Sequence, residues 1–340
     1  MGFELPVRKY VGGVVEVKLG ATKGEGGSRG RTVTIGGERV PAFCGFEGRM
    51  PHVPVVAVDV FDVRVSLPRA VKMHFREVLD DPAEWARLAV DRFGADLVTV
   101  HLVSIDPLGL DTSPRKACET VERVAEAVDV PLVIGGCGDA RKDMDVFESV
   151  AERFGGERFL FSSVTREMDV ERCARFIDKF GHLALSFTPM SLSLARDLNR
   201  RLLEFLPRDR IVMDLTTAAL GYGLDYAFSN MERARLAALD GDVELGFPMM
   251  SGTTNAWAAR EAWLEMPVEF EPRELRGPLW ELTTALALLL AGVDLFMMMH
   301  PAAVKTLKDV VNDLLSGGKV DDAEFGDWVS ARIQKNSDLR

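Results

Sequence analysis

Clustered cysteine is missing from this chain: Cys44, Cys118, Cys137 and Cys173 stand far apart and form no C-x-x-C pair. That spacing excludes a disulfide framework and a zinc or iron-sulfur site built on neighbouring thiols, and it suits a reducing cytoplasm. Histidine is scarce, with five residues, and His300 has no partner His, Cys or paired carboxylate near it in sequence, which makes a poor metal motif. Blocks of Lys or Arg are lacking too. With 52 acidic against 41 basic residues and a net charge of −11, nothing here neutralises a phosphate backbone, so nucleic acid is excluded as a partner. Uninterrupted apolar length is also absent, because Gly292 and Asp294 break the most apolar stretch, Ala285 to Met299. A bilayer crossing takes ~20 apolar residues, so no membrane span is expected. Arg8 and Lys9 are followed by Tyr10, Val11 and two glycines rather than by an apolar core, and no signal peptide is expected either.

What the 340 residues do contain is ample core material, 47% apolar, enough for one large α/β barrel or two smaller domains. Short apolar runs alternate with amphipathic stretches: Val55–Val60, Leu97–Val103, Leu132–Ile134, Phe159–Phe161, Leu183–Phe187, Ile211–Met213, Leu245–Met250 and Leu295–Met299. Runs that are apolar at consecutive positions suit strands covered on both faces, hence a parallel sheet. Between them, patterns such as Ala117, Val121, Val124 and Val128 recur at helical spacing, as do Val304, Leu307, Val311 and Leu314 after the last run. Eight strands, each followed by a helix, predict an α/β fold of the closed (β/α)8 TIM-barrel class.

Boundary signals agree with that count. Asp81-Pro82 and Ser113-Pro114 each place a capping side chain before a first-turn proline, and Gly94, Gly155 and Gly181 close helices ahead of the next strand. Prolines 267, 272 and 278 break the longest connection, so one helix is expected over Ala256–Glu265 and a second over Leu279–Leu290. Residues 1–54 lie outside the alternation; Val14–Leu19 and Thr32–Ile35 predict a β-hairpin against the bottom or side of a barrel at 55–317. The intervening GATKGEGGSRG lacks the G-K-[ST] ending of a phosphate loop and reads as a flexible hairpin loop. Residues 318–340 are polar, and Asp321 to Arg340 is expected to be a short helix or a tail.

In such a barrel the functional rim lies just past each strand. It would comprise Asp59 and Asp62, Ser104 and Asp106, Gly135 through Asp139, Ser162 and Ser163, Thr188, Asp214 through Thr217, Ser251 through Asn255, and His300. The set is rich in hydroxyls and carboxylates and has no evident nucleophile beside a base. Two roles are open to Asp214 and to Asp106: ligand contact, or capping of their own turns. Thr253, Thr254 and Asn255 precede an expected helix, as an anion site or with Asn255 as a plain N-cap. His300 either lines the site or bonds a neighbouring loop. Cys137 reads as a small buried thiol and GGCGD as only superficially like a dinucleotide turn. The unit RIVMDLTTAALGYGLDYAFSNMER is the most informative, a buried strand, a polar turn and a helix, with Gly221 and Gly223 letting the chain turn. No apolar run contains a lysine, which ranks a Schiff-base aldolase last.

Ordered motifs over nearly the whole length carry a resemblance: GFEG at 45–48, VFD at 60–62, DPAEWA at 81–86, LVSIDP at 102–107, DVPLVIGG at 129–136, DRIVMDLTTAALGYGLDY at 209–226, MERARLAAL at 231–239 and RGPLWELTTALALLLAGVD at 276–294. In these the chain resembles the delta subunit of the acetyl-CoA decarbonylase/synthase complex, the small subunit of the corrinoid iron-sulfur protein. It departs at Leu215, where the family usually has proline, and in the SGTTN segment. The resemblance implies a barrel that pairs with a larger gamma subunit and works with the other subunits of the complex. It implies a corrinoid shared with that partner, no iron-sulfur cluster on this chain, and an accessory role in methyl transfer between a tetrahydropterin and the acetyl-CoA synthase centre. Asp106, Asp214, Thr216, Thr217, Gly221, Tyr222, Thr254, Asn255 and His300 are the expected cofactor-facing residues, with no catalytic and no metal-ligating residue expected. The alternative is a free-standing TIM-barrel pterin-dependent methyltransferase in which Asp106, Asp214 and Asn255 hold the pterin ring.

Overall fold

Each of the eight apolar runs supplies a strand. In the computed structural model, which describes residues 6–316, they are β3 (Val55–Phe61), β4 (Leu97–His101), β5 (Leu132–Gly135), β6 (Leu160–Val164), β7 (Leu183–Phe187), β8 (Ile211–Asp214), β9 (Met250–Ser251) and β10 (Leu295–Met298). All eight are parallel, in the order β8-β7-β6-β5-β4-β3-β10-β9, and a bridge between Met213 and Met249 links the two edges into a barrel. The seventh run contributes only Met250 to its two-residue strand, at the point of closure.

Alternation along each strand divides the core in two. Ala57, Leu97, Val133, Leu160, Leu185, Val212, Met250 and Leu295 point inward and pack on one another. Their neighbours Val58, Val98, Ile134, Phe161, Ala184 and Phe296 point outward and are covered by the helices. Those helices are α1 (Arg69–Phe75), α2 (Pro82–Asp91), α3 (Pro114–Ala127), α4 (Ala140–Arg153), α5 (Val170–Phe180), α6 (Leu192–Leu203), α7 (Leu224–Leu239), α8 (Arg273–Leu290) and α9 (Pro301–Ser316). The first strand is followed by two helices rather than one.

Capping residues sit where the sequence places them for α2 and α3: Asp81 accepts from the Ala83 amide at 3.0 Å, and Ser113 accepts from Lys116 at 3.4 Å. Gly94 and Gly181 take left-handed conformations, but after α4 it is Gly156 rather than Gly155 that does so. The helix expected over Ala256–Glu265 is replaced by two 3-10 turns, Thr253–Ala258 and Arg260–Ala262. Tertiary packing overrides propensity here, because Trp257 must lie flat against Gly277, where a Cβ would meet its ring at 2.2 Å. The Arg276 guanidinium then holds the carbonyls of Glu261 and Leu264. For the same reason α8 begins at Arg273, six residues before the expected start, with Pro278 inside it.

β1 (Glu16–Leu19) and β2 (Val33–Gly36) form the expected antiparallel hairpin. Val17, Leu19 and Ile35 join the inward barrel cluster, so the hairpin plugs the amino-terminal end. Its connecting loop is pinned rather than flexible. Thr22 and Glu25 build a capping box around a 3-10 turn, and buried Arg29 pairs with Glu157 at 3.0 Å and donates to the Val128 carbonyl. A second clamp at that end is Arg235 of α7, which pairs with Glu38 at 3.1 Å and Asp294 at 2.6 Å, all three buried. Both clamps leave the opposite, carboxyl-terminal mouth as the open face. The segment from Asp321 to Arg340, read as a helix or tail, lies outside the described residues.

Candidate functional site

Inward parity, continued to the strand ends, selects the side chains at the mouth. Asp59 follows Ala57, His101 follows Thr99, Gly135 follows Val133, Ser162 follows Leu160, Phe187 follows Leu185, and Asp214 follows Val212. Cross-strand pairing puts His101 opposite Gly135 and Gly135 opposite Ser162 in one row, with Asp59 one inward position below it, opposite Thr99, and the pair Phe187 and Asp214 one inward position above it, since Ser162 pairs with Leu185. His101, Gly135, Ser162, Phe187 and Asp214 line a cavity of about 590 Å³, together with Gly136, Cys137, Asp143 and Ser163.

Asp214 is 9% exposed. Burial pushes its carboxyl up to about 7, although the Thr216 amide, donating to Oδ1 at 2.8 Å, works the other way. Thr216 itself is left-handed, with φ +71°, and its hydroxyl donates to the Thr188 carbonyl at 2.9 Å. Asp214 therefore does cap its own turn with one oxygen, while it lines the cavity as well. The Thr217 hydroxyl is turned inward to Ser251 at 2.9 Å, and Ser251 lies 2.8 Å from Thr253. Asn255 donates to the Thr217 carbonyl at 3.0 Å from within a 3-10 turn, so it is not the cap of a following helix. These bonds zip the β8 turn to the SGTTN segment.

The remaining expected residues are spread around the mouth. Asp106 accepts from the Leu108 amide at 2.8 Å and thus closes its own turn on the rim beyond β4. Thr254 donates to Asp59 at 2.5 Å. Gly221 is left-handed with open space where a Cβ would be, and Tyr222 beside it is 54% exposed, its hydroxyl donating to Glu261 at 3.3 Å. His300 is buried between His74 and Trp257, and its ring accepts from the Ala302 amide at 3.2 Å. Burial, then the neighbouring His74, lowers its pKa to about 4. Beneath it the buried Glu281 accepts from the amides of Met299 and His300 at 2.7 and 2.9 Å, and burial raises that carboxyl to about 7. Asp106, Asp214 and Asn255 do not converge: of the three, Asp214 alone lines the polar cavity.

A second cavity, about 710 Å³, opens on the opposite side of the mouth between the β3–α1 loop and the β9–α8 segment. Phe61, Leu67, Trp257, Trp263 and Met299 make it apolar, with Arg69 and Arg273 at its lining. None of these residues was among those expected from the sequence. Phe61 and Trp257 carry no polar group to flag them, and the irregular backbone after β9 hid the rest. His101 was missed because the run Leu97–Val103 reads as uniformly apolar; its period-two alternation of Leu97, Thr99 and His101 is the signal that points inward. Burial foremost pushes the Cys137 thiol up to about 11, with Asp143 adding to it. Among the described residues no group of three or more His, Cys, Asp or Glu is arranged to hold a metal, and no helix is long and apolar enough to cross a membrane.

The architecture is that of a TIM barrel. A dihydropteroate synthase from Xanthomonas albilineans, solved with 7,8-dihydropteroate, superposes with a TM-score of 0.52 at 14% identity, over 77% of this chain and 94% of that one. The enzyme from Thermus thermophilus gives 0.51 at 16% identity, over 88% and 99%. At that identity the likeness concerns the fold alone. Sequence is decisive for the family: the CO dehydrogenase/acetyl-CoA synthase delta subunit model matches residues 16–273. An acetyl-CoA decarbonylase/synthase complex subunit delta from Archaeoglobus fulgidus is 54% identical, over 97% of this chain and 75% of the relative, and delta 1 of Methanosarcina thermophila is 48% identical over 94% and 75%. The chain belongs to the CO dehydrogenase/acetyl-CoA synthase delta subunit family.

Proposed function

We propose that this delta-family chain acts inside an acetyl-CoA decarbonylase/synthase complex as the small partner of a corrinoid iron-sulfur protein, its barrel mouth covering one face of a corrinoid held mainly by the larger gamma subunit. The observation that carries this reading is the rim. Leu108 (97% exposed), Leu110, Tyr222, Tyr226, Val268 (84%) and Phe270 all lie on loops or helix starts beyond the carboxyl ends of the strands. Large apolar side chains gathered around one opening fit a surface that a partner and a broad flat ligand cover.

The residues present fit such a cofactor's edge. Asn255, exposed, keeps its carbonyl oxygen free, Tyr222 offers a hydroxyl, and Gly221 permits close approach of a bulky group. When bound, the corrinoid supplies the metal that carries a methyl group between a tetrahydropterin and the acetyl-CoA synthase centre. This chain's part is to bind, to orient and to exclude water through the aromatic wall of Trp257, Trp263 and Phe61. Four unpaired cysteines support a reducing cytoplasm as the setting.

Mixing the chain anaerobically with the corrinoid-loaded gamma subunit, followed by size exclusion with light scattering, tests the reading. A stable 1:1 complex is expected, and Tyr222→Ser with Trp263→Ser should weaken it and alter the visible spectrum of the bound corrinoid. Failure to associate, with the lone chain turning over a methyltetrahydropterin, would replace this reading by the free-standing methyltransferase.

A further inference from the structure

The amino-terminal end of the barrel, opposite the mouth, holds two arginines that its ion-pair clamps leave over. Residues 11–15 are threaded there between two neighbours: the Gly12 amide donates to the Leu239 carbonyl at 2.8 Å, Val14 to that of Glu38 at 2.9 Å and Val15 to that of Gly246 at 3.0 Å. Such close passage demands glycine at 12, where a Cβ would stand 2.1 Å from the Ala238 carbonyl oxygen. This segment, the end of α7 and the connection to β9 wall a cavity of about 350 Å³, which Arg39 and Arg208 also line.

Both arginines reach Gly13. A Cβ on Gly13 would meet Arg39 Cγ at 3.3 Å, and a Cβ on Gly246 would meet both Arg208 Nη2, at 2.8 Å, and the Gly13 carbonyl oxygen, at 3.1 Å. The Arg208 guanidinium lies over Phe247, 5.5 Å from the ring centroid. Among the described residues its side chain donates one long hydrogen bond, 3.5 Å to the Gly246 carbonyl, and its Nε is buried without a partner. The Arg39 side chain is exposed and has no partner among the described residues.

The acidic residues of the flanking segments do not answer these charges, because each is already engaged. Glu38 pairs with Arg235 at 3.1 Å, Asp240 with Arg8 at 2.6 Å, Asp242 with Arg196 at 2.7 Å, Glu244 with Arg200 at 2.7 Å, and Asp209 with Arg158 at 4.0 Å. Asp242 lines the cavity, and its second oxygen is taken by the Glu244 amide at 3.0 Å. On a chain of net charge −11, two unanswered positive charges in one cavity make a local anion site rather than a general attraction. Guanidinium groups match phosphate oxygens in bidentate pairs, and two of them balance a dianion. A partly buried guanidinium whose Nε lacks an acceptor is costly unless a ligand or water supplies one.

We propose that this cavity binds phosphate, free or as the phosphate group of a small molecule, between Arg39 and Arg208, with Val11, Val14 and Val243 as the wall for an attached organic group. The site lies at the other end of the barrel from the mouth, so it stands or falls separately from the reading above.

Isothermal titration of the full chain at constant ionic strength tests it, with inorganic phosphate and ribose 5-phosphate as probes and ribose as the uncharged blank. Saturable binding of at least one phosphate-bearing probe, and none of ribose, is expected. Tighter binding of the ester assigns the apolar wall a share; equal or weaker binding of the ester assigns recognition to the phosphate alone. Arg39→Gln and Arg208→Gln should each weaken the bound probe by about tenfold or more. Arg141→Gln, which removes an exposed charge from α4 at the mouth, should leave it unchanged. Arg39 is exposed, so its variant remains a folded test even where Arg208→Gln loses the contact with Phe247 and unfolds. Absence of saturable phosphate binding by the folded wild type overturns the proposal, as does undiminished binding in folded Arg39→Gln or an equal loss in Arg141→Gln.

Discussion

Replacing Asp214 by asparagine should make the protein more stable, and the gain should grow with pH. The carboxyl is raised from its ordinary 3.8 to about 7 because burial disfavours the charged form. A carboxyl whose folded pKa is raised releases its proton more readily when the chain unfolds, so stability falls as pH climbs from about 4 to about 7. At ~1.4 kcal/mol per pH unit, the wild type carries a penalty of roughly 1.5 kcal/mol at pH 5 and roughly 4 kcal/mol at pH 8, relative to an uncharged side chain. Asparagine keeps the shape and can still accept from Thr216 through its carbonyl oxygen, so that penalty is what the substitution removes. Urea unfolding of both proteins at the two pH values should therefore give a difference in stability that increases by roughly 2.5 kcal/mol from pH 5 to pH 8. Glu281, buried with a carboxyl also raised to about 7, is common to both proteins and cancels. A difference that is the same at both pH values refutes the argument and means that Asp214 titrates as an ordinary carboxyl.

Two further substitutions probe the scaffold. Arg235→Met leaves Glu38 and Asp294 buried without their cation and should destabilise the barrel by about 3 to 5 kcal/mol, read from the urea midpoint, because an uncompensated buried charge costs more than the pair is worth; a loss well below 1 kcal/mol would mean that water reaches this end. Thr217→Val keeps volume and branching but deletes the hydroxyl bonded to Ser251, and a loss of about 1 to 2 kcal/mol with the fold retained is expected from differential scanning calorimetry, whereas no loss would show that the chain of hydroxyls to Thr253 is solvated rather than structural.

Barrel class and strand count were legible because consecutive apolar positions leave a strand nowhere to lie except between two layers, and glycine and proline mark where each unit stops. The pinned loop at 20–30 was not, since Arg29 finds Glu157 more than a hundred residues away. Nor was the 3-10 path after β9, where contact of Trp257 with Gly277 outweighs a helical pattern that is locally sound. At the mouth, polar residues immediately after a strand were easy to nominate, but whether a hydroxyl faces outward or bonds the next loop depends on that loop. Thr217 and Thr254 were nominated as ligand-facing and are both engaged internally, Thr217 by Ser251 and Thr254 by Asp59. Within-strand parity adds His101 to Asp59 on the interior side without knowledge of any loop.

The two cavities are nearly separate, and the end of β3 is what joins them. Phe61 lines the apolar cavity and also stacks on His101, which lines the polar one. One turn of alternation earlier, Asp59 divides its carboxylate between the same two sides: Oδ1 beside His101, Oδ2 accepting from Thr254 in the segment that leads to Trp257. A side chain at 61 or 59 is thus in contact with both halves of the mouth, whereas Asp214 and Ser162 touch the polar half alone. Because packed interiors transmit strain, a displacement of the Phe61 ring is expected to bear on the imidazole of His101 stacked against it, and the short β3 terminus is the element that the two cavities share.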